Sequence, residues 1–150
     1  MWIAACGATD SSTIDITHDV CAGVTVTAPT VSDAQLAHID AAMALWRPRG
    51  VSRLALGFAG SDPLGSIEIR FEPASLASRG LYDDKASVVY INANLADASE
   101  VAIVIAHELG HAFGLPHVTH RVSLMNPGNL TTAPTSDDQH AVEALWGRCD

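Results

Sequence analysis

Residues 107–117 of this 150-residue chain read His-Glu-Leu-Gly-His-Ala-Phe-Gly-Leu-Pro-His, and they constrain the fold more tightly than any other stretch. On a helix, residues four apart share a face, so His107 and His111 can aim their imidazoles at one point. Glu108 stands beside the first of them, where its carboxylate can reach a metal-bound water without occupying the metal. Gly114 permits a left-handed turn that ends the helix and brings His117 round as a third ligand. Three neutral imidazoles suit zinc and leave its fourth tetrahedral position open, the mark of a catalytic rather than a structural site. Residues 101–106 are apolar on every side, so this helix is buried. Buried ionisable groups are costly without partners, and a metal removes that cost. About one chain in a hundred of this composition would show HExxH by chance; adding Gly114 and His117 reduces that to roughly a few in 100,000.

The rest of the chain supplies elements to hold such a helix. Residues 20–27 alternate apolar and small polar side chains and fit a strand ended by Pro29. Ser32 or Asp33 can cap a helix running to Trp46, with Leu36, Ile39, Ala42 or Met43, and Trp46 on one stripe, stopped by Pro48 and Gly50. Residues 51–59 and 66–71 read as strands, residues 73–85 as a loop, and residues 87–92 as the last strand. Asp97, with Glu100 three residues on, opens the motif helix, which Gly114 and Pro116 close. Residues 119–134 are irregular, and Ser136 caps a final helix ending near Gly147. Trp46 and Trp146 read as core, Trp2 as part of a leader.

Composition sets the boundaries. At 48% hydrophobic and 17% charged the chain can bury a real core, and its length suits one domain, residues 20–150, behind a polar leader at 1–19. With 17 acidic against 8 basic residues the net charge is −9, which excludes nucleic acid as the partner for want of a basic face. No apolar run approaches the ~20 residues needed to cross a bilayer.

HExxHxxGxxH followed by a methionine turn resembles the metzincin zinc endopeptidases. Met125, in Ser123-Leu124-Met125-Asn126-Pro127, follows His117 at the interval seen in the matrixin branch. Residues 66–71 and 136–147 are similar to the matrixins' Asp-Ile-x-Ile-x-Phe strand and last helix. The resemblance covers roughly residues 20–148. It implies an α+β, zincin-like fold: a twisted, mostly parallel sheet of four or five strands, two backing helices, a zinc cleft and a small C-terminal subdomain ending in a helix. It also implies hydrolysis of peptide bonds, with one zinc on His107, His111 and His117, Glu108 as general base and then acid, and Met125 as a floor beneath the ligands. Substrate would lie along residues 87–92 as an added strand, touching Val89 and Tyr90. Selectivity would come from a pocket near residues 126–130 that includes Asn129.

This chain also departs from the family. Between Phe71 and Ser87 there is no histidine, so a second, structural zinc has no ligands there. Asp83 and Asp84 offer oxygens of the kind calcium takes, without a clear ligand set around them. Gly128 and Asn129 stand after Pro127 where matrixins carry Pro-x-Tyr, so the pocket wall differs. His18, His38, His120 and His140 are scattered and read as surface residues, His120 being near enough to His117 to border the cleft.

Three cysteines leave alternatives open. Cys6 fits a bacterial lipobox and a lipid anchor, an ordinary thiol or disulfide with Cys21, or an echo of a cysteine-switch propeptide. If Cys6 is lipidated, Cys21 and Cys149 remain as a pair whose bridge needs an oxidising compartment. The expectation is an exported, monomeric enzyme acting on peptides or proteins. Two other functions compete: an exported zinc-binding module without activity, and a metal hydrolase acting on a bond other than a peptide. Glu108 argues against the first, since a structural site has no use for it.

Overall fold

The structure, a computed structural model, describes residues 13–58 and 65–150; Trp2 and Cys6, and with Cys6 the lipid anchor, lie outside the described residues. In chain order the elements are β1 (Val24–Thr27), α1 (Asp33–Trp46), a 3-10 turn (Arg47–Arg49), β2 (Leu54–Leu56), β3 (Ser66–Glu72), β4 (Gly80–Asp83), β5 (Val88–Asn92), α2 (Ala98–Ala112) and α3 (Ser136–Trp146). The five strands form one sheet in the order β2-β1-β3-β5-β4. Every neighbouring pair is parallel except β4 with β5. This is the α+β architecture expected from the motif and the elements around it.

Local chemistry explains the helices. Ser32 accepts from the Gln35 N–H at 3.2 Å while the Gln35 side chain accepts from the Ser32 N–H at 2.9 Å, a reciprocal cap that starts α1. Ile39, Ala42, Met43 and Trp46 then line its buried stripe. Asp97 caps α2 by accepting from the Ser99 and Glu100 N–H groups. Residues 101–110 are buried without exception, because α2 packs against α1 on one side and against β4 and β5 on another. The Trp46 indole N–H donates to the Ala106 carbonyl at 2.8 Å, which ties the end of α1 to the middle of α2. Between helices and sheet the core gathers Val26, Ile67, Ile69, Val89, Ile91 and Leu109, all at 0% exposure. Each such side chain stabilises the fold by about 1.5–3 kcal/mol.

Several expectations need correction. β1 begins at Val24, because residues 19–22 form a turn in which the Asp19 carboxylate accepts from the Cys21 N–H. β2 shrinks to three residues. Residues 73–85 are not all loop, since they contain the edge strand β4. The cap of α3 is Thr135 rather than Ser136, because Asp138 lies three residues after Thr135 and completes the reciprocal pair. His18 is buried, not a surface residue; its ring meets the Ser87 hydroxyl at 2.8 Å. Substrate cannot add to residues 87–92, because β5 is already paired on both sides, by β3 and β4. Val89 is fully buried, and Tyr90 lies beneath the Arg70 guanidinium, 5.9 Å from it. The edge next to α2 belongs to β4.

Candidate active site

α2 ends where its two histidines are needed. After the cap residue Phe113, Gly114 takes φ +100°, a conformation that side-chain-bearing residues rarely adopt. The Leu115 N–H then donates back to Gly110 O and the Gly114 N–H to His111 O, both at 2.9 Å, which turns the chain off the helix axis. The returning segment is pinned by the Val118 N–H to Met125 O at 3.0 Å, and by the Asn126 carboxamide to Val118 O at 2.7 Å. These bonds place His117 opposite α2.

His107, His111 and His117 form a cluster of potential metal ligands, with one ligand atom from each lying within 4.8 Å of the others. The His117 Nε2 stands 3.2 Å from His107 Nε2 and 3.3 Å from His111 Nε2. Zinc–nitrogen bonds of about 2.0–2.1 Å in a tetrahedron put neighbouring ligand nitrogens about 3.3 Å apart, so the spacing fits that ion. The tautomers fit as well. His107 Nδ1 donates to Leu124 O at 2.8 Å and His111 Nδ1 donates to Leu115 O at 2.7 Å. A carbonyl can only accept, so the Nε2 of each ring carries a lone pair directed at the cluster. Burial pushes the His107 pKa down to about 4, against a smaller upward pull from the Leu124 carbonyl. Burial and then the neighbouring His107 take His111 to about 3. Both rings are therefore neutral, as ligands must be.

Beneath the cluster lies the methionine turn. A Cβ on Gly110 would stand 2.5 Å from Met125 Sδ and 3.3 Å from Trp46 Cζ2, so the glycine inside HExxH lets α2 rest on that sulfur. Met125 is 1% exposed. The turn is held from α3 by Asp138, itself 1% exposed. Its carboxylate accepts from Ser123 Oγ at 2.5 Å and from the Leu124 and Thr135 N–H groups at 2.8 Å each. Since Leu124 O receives the His107 ring, one buried carboxylate orients a cluster histidine through a single residue, Leu124. Sequence reasoning missed Asp138; its signal was an acid three residues after a capping threonine.

Glu108 is 2% exposed and faces β4. A Cβ on Gly80 would come within 3.1 Å of Glu108 Oε1, so this bare strand residue is what lets β4 lie against the helix. A small pocket beside the cluster is lined by Arg79, Val104, His107, Glu108, Gly128 and Asn129. Asn129 is thus at the site, but its side chain serves the loop. Its amide nitrogen donates to Leu124 O and Thr132 O, and its oxygen accepts from the Thr131 and Thr132 N–H groups. The upper rim, residues 74–79, is organised by Asn92, which sequence reasoning passed over. The Asn92 carboxamide donates to Ser75 O and Ser78 O and accepts from the Ala74 N–H. Asp83 and Asp84 accept from the Lys85 and Asp15 N–H groups. His120 is exposed beside Arg121.

A buried helix bearing two histidines and a glutamate, a third histidine brought back by a glycine turn, and a methionine turn beneath them together define a metzincin-type zinc metallopeptidase. The Matrixin family model (Peptidase_M10) matches residues 61–147, and the chain belongs to that family. Human matrix metalloproteinase-21 is 35% identical over 51 residues, a match covering 31% of this chain. The chain spans only 9% of that relative's length. High choriolytic enzyme 1, a hatching-enzyme zinc protease from the medaka Oryzias latipes, superposes with a TM-score of 0.57. That superposition covers 83% of this chain and 89% of the other at 12% identity, a likeness of fold alone. Zinc is the metal that the histidine cluster of this matrixin-family chain suits.

Proposed function

We propose that residues 20–150 form one catalytic domain that hydrolyses internal peptide bonds, with His107, His111 and His117 as zinc ligands and Glu108 as general base and then general acid. The observation that carries this reading is the placement of a buried glutamate between the three-imidazole cluster and an edge strand. Zinc in that position supplies Lewis acidity, which polarises the scissile carbonyl and lowers the pKa of a water. Glu108 takes the proton of the attacking water on its carboxylate and passes it to the leaving amine nitrogen. Gly80 lets β4 lie close against that carboxylate and against Val104. Met125 supports the ligands from below, with its sulfur packed against Gly110. Substrate pairs in extended form with β4, whose main-chain groups give affinity that tolerates many sequences. The Cys21–Cys149 disulfide, with Cα atoms 4.9 Å apart across a sequence separation of 128, supports export to an oxidising compartment.

The test compares wild type with Glu108→Gln at equal zinc content on an unfolded protein such as casein. Wild type should cleave, and the variant should hold zinc yet lose on the order of 10²–10⁴-fold in rate. Zinc retention with cleavage by neither protein would return the chain to the class of zinc-binding modules.

A further inference from the structure

We propose that Arg79 is a specificity-determining residue, whose guanidinium receives an acidic side chain on the substrate residue that follows the scissile bond. The inference rests on the peptidase reading above and deepens it. Glu108 hands its proton to the leaving nitrogen, so the residue contributing that nitrogen sits beside Glu108. The side chain of that residue enters the pocket Glu108 lines. The other walls of this pocket are Arg79, Val104, His107, Gly128 and Asn129.

Sorted by chemistry, these walls leave one group able to bind a polar side chain. Val104 is apolar, and Gly128 has no side chain. His107 is committed to the cluster and to Leu124 O. The Asn129 carboxamide is spent on the backbone of residues 124–132. Arg79 remains, and among the described residues its guanidinium makes no hydrogen bond or ion pair. By contrast, Arg47, Arg53 and Arg70 each reach a carbonyl or a carboxylate.

The guanidinium is also aimed. The Asn92 N–H donates to Arg79 O at 2.9 Å, so its backbone is fixed by the rim that Asn92 organises. The side chain extends across the pocket until Nη1 stands 3.7 Å from where a Cβ on Gly128 would be. Gly128 has φ +70°, so glycine is favoured there and the space facing the guanidinium stays empty. The pocket is small, with room of about 10 Å³ for a water-sized group. A planar fork of donors beside a small empty space is the geometry that recognises carboxylates. Glu108 is the charge that would oppose a second carboxylate here, and Arg79 lies in the same pocket to offset it. An apolar side chain would strip water from the guanidinium and give nothing back.

The experiment uses the zinc-loaded protein and fluorogenic peptides that differ only after the scissile bond, in the pairs Glu against Gln and Asp against Asn, plus Leu and Lys. Mass spectrometry fixes the cleaved bond. In wild type the Glu:Gln ratio of kcat/KM should be about tenfold or more, shrinking as salt screens the pair. Arg79→Gln should bring that ratio towards one, Arg79→Lys should restore part of it, and Arg79→Glu should shift preference to the Lys peptide. A wild-type preference for Leu, or a Glu:Gln ratio that survives in Arg79→Gln, overturns the inference while leaving the peptidase reading intact. No cleavage of any peptide overturns both.

Discussion

Under the cleft, a carboxylate reaches from α3 to grip the Ser123 hydroxyl and the Leu124 N–H; over it, one carboxamide at the end of β5 gathers the main chain of residues 74–78. The two devices are alike in physics, each a buried polar side chain satisfying backbone groups that would otherwise be left unpaired. They differ in what hangs on them. Asp138 is one residue away from a histidine of the cluster, through Leu124. Asn92 bonds the Arg79 carbonyl directly through its own N–H, next to the edge strand β4. On the proposed reading the floor bears on whether metal is held, and the rim on what is bound beside it.

The comparison breaks most visibly at Asp138. Asp138→Ala removes the acceptor for a buried and a half-buried N–H group and one buried hydroxyl, so it should cost about 3 kcal/mol of stability. It should also weaken zinc binding by about 10- to 100-fold, because the His107 ring loses its fixed carbonyl. Thermal unfolding and competition with a zinc chelator measure the two effects; an unchanged zinc affinity would separate the turn from the metal. Asn92→Ala should cost about 2 kcal/mol, lower kcat/KM for peptides and leave zinc affinity within about twofold. If zinc affinity fell as far as in Asp138→Ala, floor and rim would be one unit.

A further effect lies in acid and belongs to the floor. His107 and His111 titrate near pH 4 and pH 3 in the fold, against 6.5 in the unfolded chain. Below pH 6.5 the unfolded chain binds protons that the fold refuses. The metal-free protein should therefore lose stability as pH drops from 6.5 to 5, by up to ~1.4 kcal/mol per pH unit for each ring. Urea unfolding after chelation checks this: the slope should flatten in His107→Gln and persist in Asn92→Ala.

The floor was legible in sequence because its instructions are local and redundant. The i, i+4 histidines, Gly114 and Met125 each mark their place within a few residues of the group they serve. α1 was legible for the same reason, its cap and stripe lying within residues 32–46. The rim was not. β4 is four residues long and owes its order to pairing with β5 and to contact with α2, neither of which is written in residues 80–83. Expecting substrate on β5 followed directly from missing that strand, since without β4 the edge would have been β5's. His18 was misplaced because its partner, Ser87, is 69 residues away. At Thr135 and Ser136 two hydroxyls compete for one cap, and only the distance to Asp138 decides between them.

The link from Asp138 through Leu124 to His107 has a consequence in time. The motif histidines leave the ribosome well before residue 138 does, and the ring of His107 depends on a carbonyl 17 residues downstream. The residue that carries it, Leu124, is in turn held by a carboxylate 14 residues further along. A growing chain can therefore coil its motif helix early yet hold no finished centre until the last helix docks. The motif helix alone is therefore not enough; the centre is completed only from a segment that follows it in the chain.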